Sequence, residues 1–256
     1  ILIENMPLWA DFSSTPNKEI SLMSDWETKI PAIINEVKNE NVTSFAGVPS
    51  WLLVLMNKLL TETGKGNLLE LWPNMEVYFH GGVNFEPYRE QYQKILPKKD
   101  FKYYEIYNAS EGFFAIQDLN YSSDLLLMLD YGIFYEFIPM DTFGTPNQKT
   151  IRLADVELFK NYAIIITTNS GLWRYMIGDT VRFTSLNPYK IRVTGRTKHH
   201  INVFGEELMV ENTDQAIAKA CHITGTEIVD YTVAPVFMKD KEKGAHEWII
   251  EFKKNP

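Results

Sequence analysis

The chain has 256 residues, 45% hydrophobic and 23% charged, an ordinary balance for a globular protein with room for a sizeable core. Its net charge of −8 argues against a non-specific nucleic-acid binder, which needs a basic face to displace counterions. One cysteine, Cys221, excludes an internal disulfide, and no apolar run approaches the roughly 18 residues of a membrane span. The first residues carry no initiator methionine, basic leader or cleavage signature. We therefore expect a processed protein or a section of a longer one, in a cytoplasmic setting.

Residues 1–24 hold Pro7 and Pro16 and no sustained period. Asp25 is placed to cap a helix over Trp26–Asn39, with Ile30, Ile33, Ile34 and Val37 on one face and a kink at Pro31. Val42–Ala46 reads as a short strand. A helix then opens at Pro49 and runs to Leu60, apolar nearly all round and so expected to be buried. Most of it reads as core filler, and Val48 and Trp51 are the best candidates to wall an apolar substrate pocket. Lys65–Pro73 reads as a linker. Met75–Phe79 reads as a strand ending in His80-Gly81-Gly82-Val83, where two glycines either admit a flat ligand close to the backbone or simply turn the chain. Asn84–Arg89 opens a helix to about Leu96.

Phe101–Tyr107 is an aromatic strand that stops at Asn108-Ala109-Ser110-Glu111-Gly112. Asn and Gly tolerate positive φ there, which leaves Ser110 and Glu111 at the mouth of a turn beyond a strand's carboxyl end, where α/β sheets bind ligands. A hydroxyl and a carboxylate held in this way suit a magnesium–phosphate group; taken alone, a solvated surface turn is the simpler reading. Tyr131–Pro139 is a strand, and residues 151–158 and 162–168 are expected to pair with each other. Asn169-Ser170-Gly171 is a hairpin turn, with Trp173 bracing it. Asp179 stands beside Gly178 at a strand break, either to accept two ribose hydroxyls or to bond its own backbone. Past Ile191–Val193, Thr194–Lys198 reads as a hinge, with His199 and His200 solvated on its face. A helix over Val210–Cys221, with Cys221 a small core residue, and strands over Glu227–Phe237 and His246–Phe252 form a small α+β unit. The histidines have no metal-ligand spacing with Cys221. The expected class is α/β: mixed sheets with flanking helices, followed by the start of a small α+β domain.

Four pieces stand in one order: His80-Gly81-Gly82, Tyr107-Asn108-Ala109-Ser110-Glu111-Gly112, Tyr175-Met176-Ile177-Gly178-Asp179, and Gly195-Arg196 with Ile201 and Gly205. Their order and spacing resemble the adenylate-forming superfamily of acyl-CoA synthetases, luciferases and peptide-synthetase adenylation domains. Gly47-Val48-Pro49-Ser50-Trp51, Gly81–Tyr88 and Gly171–Tyr175 look closer still to the auxin-responsive acyl-acid amido synthetase family. The resemblance covers about Val42 to Glu211. It implies ATP-dependent activation of a carboxylic acid to an acyl-adenylate, with Mg2+, followed by amide formation with an amino acid, and no nucleic-acid, membrane or protein partner.

Carried over by residue, the resemblance lays Gly81 and Gly82 along the adenine and stacks Tyr107 on the base. It puts Asn108 in the same nucleotide-binding loop, Ser110 on the α-phosphate and Glu111 on magnesium. Asp179 holds the ribose hydroxyls, Arg196 lies on ribose or phosphate, and Lys198 is the hinge. It also implies a large adenylate-forming domain over residues 1–194 and an incomplete small mobile domain over 195–256. Asn108 stands where Gly is common, Met176 where Arg is usual, and Asn202 where Lys is common. The Ser/Thr/Gly-rich phosphate loop and the late lysine of the superfamily are not found in this stretch, so the piece alone is expected to be inactive. Two alternatives stay open: a ligase that forms a thioester with coenzyme A or a carrier, and a non-catalytic binding or scaffold protein of the same fold.

Overall fold

A computed structural model describes residues 4–120, 122–197, 210–236 and 245–254. Two short helices, α1 (Leu8–Phe12) and α2 (Lys18–Ser21), precede α3 (Trp26–Val37). Asp25 caps α3 by accepting the Thr28 N–H at 3.0 Å, and Ile30, Ile33, Ile34 and Val37 are buried as expected. The helix continues through Pro31. After β1 (Ser44–Gly47) comes α4 (Pro49–Thr63), with proline in its first turn and a left-handed glycine, Gly64, just past its end. Leu53, Met56, Leu59 and Leu60 bury one side of α4, each worth about 1.5–3 kcal/mol. Trp51 and Val54 face outward, so α4 is not buried all round.

The stretch over 65–73 is no free linker. Leu68 and Trp72 are buried, and the Trp72 indole N–H donates to the Val37 carbonyl at 3.1 Å, satisfying a carbonyl at the end of α3. Next come β2 (Val77–His80), a 3-10 turn (Glu86–Tyr88), α5 (Arg89–Ile95), β3 (Lys102–Ala109), β4 (Gly112–Gln117) and β5 (Leu125–Leu127). They are followed by β6 (Ile133–Pro139), β7 (Ile151–Arg152), β8 (Asn161–Thr168), β9 (Tyr175–Leu186) and β10 (Tyr189–Arg196).

These strands form one ten-stranded sheet in the order β1-β2-β3-β4-β5-β10-β9-β8-β6-β7. The β1–β2–β3 part is parallel and the rest antiparallel. The splice is β3: its first half pairs with β2 and its second half with β4. The expected pairing of 151–158 with 162–168 does not form. Leu153–Asp155 is a 3-10 turn, β7 pairs with β6, and β8 lies between β6 and β9. In a flat sheet β3 and β9, four places apart, would be separated by roughly 19 Å. Yet the Tyr107 hydroxyl of β3 donates to Asp179 of β9 at 2.9 Å. The antiparallel part is therefore curled towards a barrel around Phe114, Phe137, Ile164 and Phe183. A separate core under α3, α4 and α5 holds Leu59, Leu68, Tyr78 and Tyr92.

The small C-terminal unit consists of α6 (Val210–Thr224), β11 (Ile228–Val236) and β12 (Ala245–Phe252), the strands forming an antiparallel pair. It is joined to α5 and the turn before it. The Tyr88 hydroxyl donates to the Val229 carbonyl at 3.3 Å and the Gln91 amide to the Ile228 carbonyl at 3.0 Å. Glu227 is held by both Lys94 and Lys253. Cys221 on α6 is half-buried.

Candidate active site at the carboxyl ends of the parallel strands

The loops that follow β1, β2 and β3 emerge at one edge, because these three strands are parallel. They carry Val48, Gly81-Gly82 and Ser110-Glu111, respectively. The β2 loop lies directly on β3: a Cβ on Gly81 would stand 2.4 Å from the Ile106 carbonyl oxygen. Gly82 has φ of 83°, and a Cβ there would meet the Val48 side chain at 3.3 Å. Both glycines thus have a reason within the fold.

Ala109 and Gly112 face each other across β3 and β4, which leaves Ser110 and Glu111 as a two-residue turn. Neither Asn108 nor Gly112 adopts the positive φ expected of this turn. Gly112 has another reason to lack a side chain, since a Cβ there would come within 3.0 Å of Ile133. Asn108 and Ser110 are exposed and Glu111 is half-buried.

Asp179 lies within β9, 6% exposed and directly opposite Arg196 of β10, at an irregularity where the ladder to β8 passes over Ile177, Gly178 and Asp179. One carboxylate oxygen accepts the Tyr107 hydroxyl at 2.9 Å, and the other accepts the Arg196 Nε–H at 2.9 Å. Behind it the Thr194 hydroxyl donates to Thr180 at 2.9 Å. The Tyr107 ring is buried against Phe114, with centroids 5.0 Å apart, so its contact with Asp179 is made by the hydroxyl rather than a face. Burial, then the neighbouring Asp179 charge, push the Tyr107 hydroxyl well above its ordinary pKa, so it stays a donor. Arg196 is the open member of this group, its side chain 60% exposed.

The segment expected to be a hinge is strand as far as Arg196, and the Thr197 N–H donates to the Gly178 carbonyl at 2.8 Å. Lys198, His199 and His200 lie outside the described residues. Val48 lies by Gly82, and Trp51 packs edge-on to Trp26. Trp173, expected to brace the hairpin, is 82% exposed; Arg174 braces it through a two-pronged contact with Glu136 at 2.9 and 3.1 Å.

Three consecutive sequence models of one family match: the GH3 family N-terminal domain over residues 1–101, its central domain over 126–196 and its C-terminal domain over 211–256. The chain belongs to the GH3 family. Similar GH3 proteins include the indole-3-acetic acid-amido synthetase GH3.4 of Arabidopsis thaliana, 26% identical over 222 residues, 80% of this chain and 35% of that one. The indole-3-acetic acid-amido synthetase GH3.8 of Oryza sativa subsp. indica is 25% identical over 202 residues, 70% of this chain and 32% of that one. Among solved structures, the GH3.15 acyl acid amido synthetase superposes with a TM-score of 0.65 at 16% identity, covering 92% of this chain and 52% of that one. A 2-hydroxyisobutyryl-CoA ligase in complex with R3-HIB-AMP gives 0.63 at 13% identity, covering 89% and 47%. This GH3 chain therefore has the mixed α/β fold of the adenylate-forming enzymes, and it spans about a third of the length of these curated relatives.

Sequence reasoning missed two features of this GH3 site. One is the direct Asp179–Arg196 pair, for which a signal existed: each residue stands eight positions from the Asn187-Pro188 turn, and hairpin strands pair symmetrically about their turn. The other is Glu105, a half-buried carboxyl two residues before Tyr107. Burial, with the Glu86 charge adding to it and Arg89 and Arg192 opposing, pushes it up to about 7. Between the ordinary carboxyl range and pH 7 the folded chain holds a proton that the unfolded chain has lost. Stability from this group therefore falls as pH rises through that window and levels off above it. Glu105→Gln is expected to melt higher than the wild type at pH 8 and alike at pH 4.5, read from melting temperatures across that range. His80, pushed down to about 3 by burial and by Arg89, gives a slope of opposite sign below its ordinary value, but both proteins share it. A difference that does not grow with pH would show that Glu105 is ionised throughout.

Proposed function

We propose that this chain forms the adenylate-binding part of a ligase that activates a carboxylic acid with ATP and passes the acyl group to an amino acid as an amide. The observation that carries this reading is the Tyr107–Asp179–Arg196 group beside the loops that close the parallel strands. Each oxygen of Asp179 accepts from one donor, Tyr107 or Arg196, and retains acceptor capacity for a ribose hydroxyl. Glu111 follows Tyr107 by four residues, at most roughly 13 Å along an extended strand, comparable with the length of a nucleoside monophosphate.

In this reading Ser110 and Arg196 face the α-phosphate, where attack by a carboxylate builds negative charge on the non-bridging oxygens. A hydroxyl donor and a guanidinium stabilise that charge without reorganising. Arg196 has the exposure this requires. The attacking carboxylate is ionised at neutral pH, so activation needs no general base. Gly81-Gly82 lies along the base, with Asn108 at its edge. Tyr107 orients Asp179 rather than stacking.

Glu111, with no partner among the described residues, suits magnesium, which binds through one or two carboxylates plus phosphate and water. Bound there, the ion would neutralise phosphate charge. A large domain over 1–194 and a small one from 195, turning about Lys198, belong to the same reading. The CoA-ligase neighbours favour one alternative, in which a thiol rather than an amine takes the acyl group.

Calorimetry of the chain with AMP and 2′-deoxy-AMP tests the nucleotide site. AMP is expected to bind at a single site, at least tenfold tighter than the deoxynucleotide, because Asp179 reads the ribose hydroxyls. Equal affinities, or no binding of AMP, would overturn the assignment. The acceptor is then identified by product mass, from an enzyme that carries the superfamily's phosphate loop and late lysine, supplied with ATP, magnesium, a panel of acids and either amino acids or CoA.

A further inference from the structure

We propose that the open cavity between the first turns of α3 and α4 and the β11–β12 pair binds an organic cation, an ammonium group on an aromatic or apolar stem. The cavity, about 560 Å³, is within the range of small-molecule sites. Its apolar wall is Trp26, Trp51, Val54 and Val229, and its charged wall is Asp230 and Glu251. The two indoles meet edge to face at 6.1 Å, and Trp51 is 68% exposed, a large ring left open to solvent.

The carboxylates are brought together by the strand register. Asp230 pairs directly opposite Glu251, and the ladder skips Val229. That bulge lets Val229 and Asp230, neighbours in sequence, both line the cavity. Like charges placed opposite one another across a strand pair are destabilising unless a counter-charge sits between them. Among the described residues no basic side chain pairs with either, and none lines the cavity. Among the described residues, Asp230 accepts the N–H of Tyr231, at 2.8 Å.

An indole face beside two unpaired carboxylates is the combination that holds an ammonium group, by attraction to the ring quadrupole and by direct charge pairing. One such contact is already present. The Lys29 ammonium lies 5.7 Å from the Trp26 ring centre, fixed there by the Ser21 and Met23 carbonyls at 2.7 and 3.2 Å. The same lining repels a carboxylate, so Trp51 walls a site of the opposite charge preference to the acyl pocket first expected of it. This inference does not depend on the nucleotide reading.

Phenethylamine and phenylacetate carry the same ring with opposite charge and serve as the probes, titrated into the chain at pH 7 by calorimetry and tryptophan fluorescence. Phenethylamine is expected to bind saturably and at least tenfold tighter than phenylacetate. In the Asp230→Asn, Glu251→Gln double variant that preference should disappear while AMP binding stays as in the wild type and the melting temperature does not fall, since the variant relieves the repulsion between the two carboxylates. Trp51→Ala should lose the fluorescence response to the amine. Absence of saturable phenethylamine binding, equal binding of both probes, or a double variant that still prefers the amine would each overturn the proposal.

Discussion

Asp179→Ala is expected to weaken AMP binding about a hundredfold and to lower the melting temperature. The first effect follows from losing a carboxylate that accepts two ribose hydroxyls, since hydrogen bonds to a charged group are worth about 1.5–3 kcal/mol each and 1.4 kcal/mol is tenfold in affinity. The second follows from what is left behind. The Tyr107 hydroxyl is buried and donates to Asp179, so alanine strands a donor out of water at a cost of about 1–3 kcal/mol. In a chain of this size each kcal/mol moves the midpoint by roughly 2–4 °C. Tyr107→Phe separates the two effects: it removes the stranded donor, leaves Asp179 paired with Arg196, and should keep most of the binding. If Asp179→Ala bound AMP within twofold of the wild type, the ribose anchor would have to be sought elsewhere.

Among the described glycines, Gly81 should tolerate alanine least. Its Cβ would stand 2.4 Å from the Ile106 carbonyl oxygen, an atom of the strand that two neighbours hold in register. No flexible side-chain end can yield there, so either the β2 loop or β3 must move. Overpacking of this kind costs about 3 kcal/mol, roughly 6–12 °C by melting. Gly64→Ala is the natural reference. Gly64 has a positive φ but open space around it, so alanine there pays for backbone conformation alone, about 1–2 kcal/mol. Thermal melts of the two variants would decide the matter; a Gly81→Ala protein as stable as Gly64→Ala would mean that the loop does not lie on β3.

Local patterns carried a good deal of this structure. The Asp25 cap, the buried stripe of α3, the proline start of α4 and the small C-terminal unit were all readable, because each is decided by residues within a turn or two. What failed depended on distant partners. Ile151 and Arg152 have strand character, but nothing nearby says that β6 rather than β8 will receive them. The aromatic character of Tyr107 says nothing of a hydroxyl reaching a carboxylate 72 residues away, which needs the sheet to curl. Trp51 reads from the sequence as a wall of an apolar pocket, and nothing near it in the chain says that Asp230 and Glu251 of the small unit line the same cavity. Within the site, the loop residues were legible by type, and the bonds among them were not.

The double membership of β3 sets a limit on how this protein can change. Side chains point alternately to the two sides of a strand, so one residue inserted between Lys102 and Tyr107 would rotate the Tyr107 hydroxyl away from Asp179 while its neighbours kept their places. The hairpin tip at Ser110-Glu111 has no such partner strand beyond it and can lengthen without disturbing the count upstream. The central segment can therefore exchange what it carries far more readily than it can gain or lose a single position.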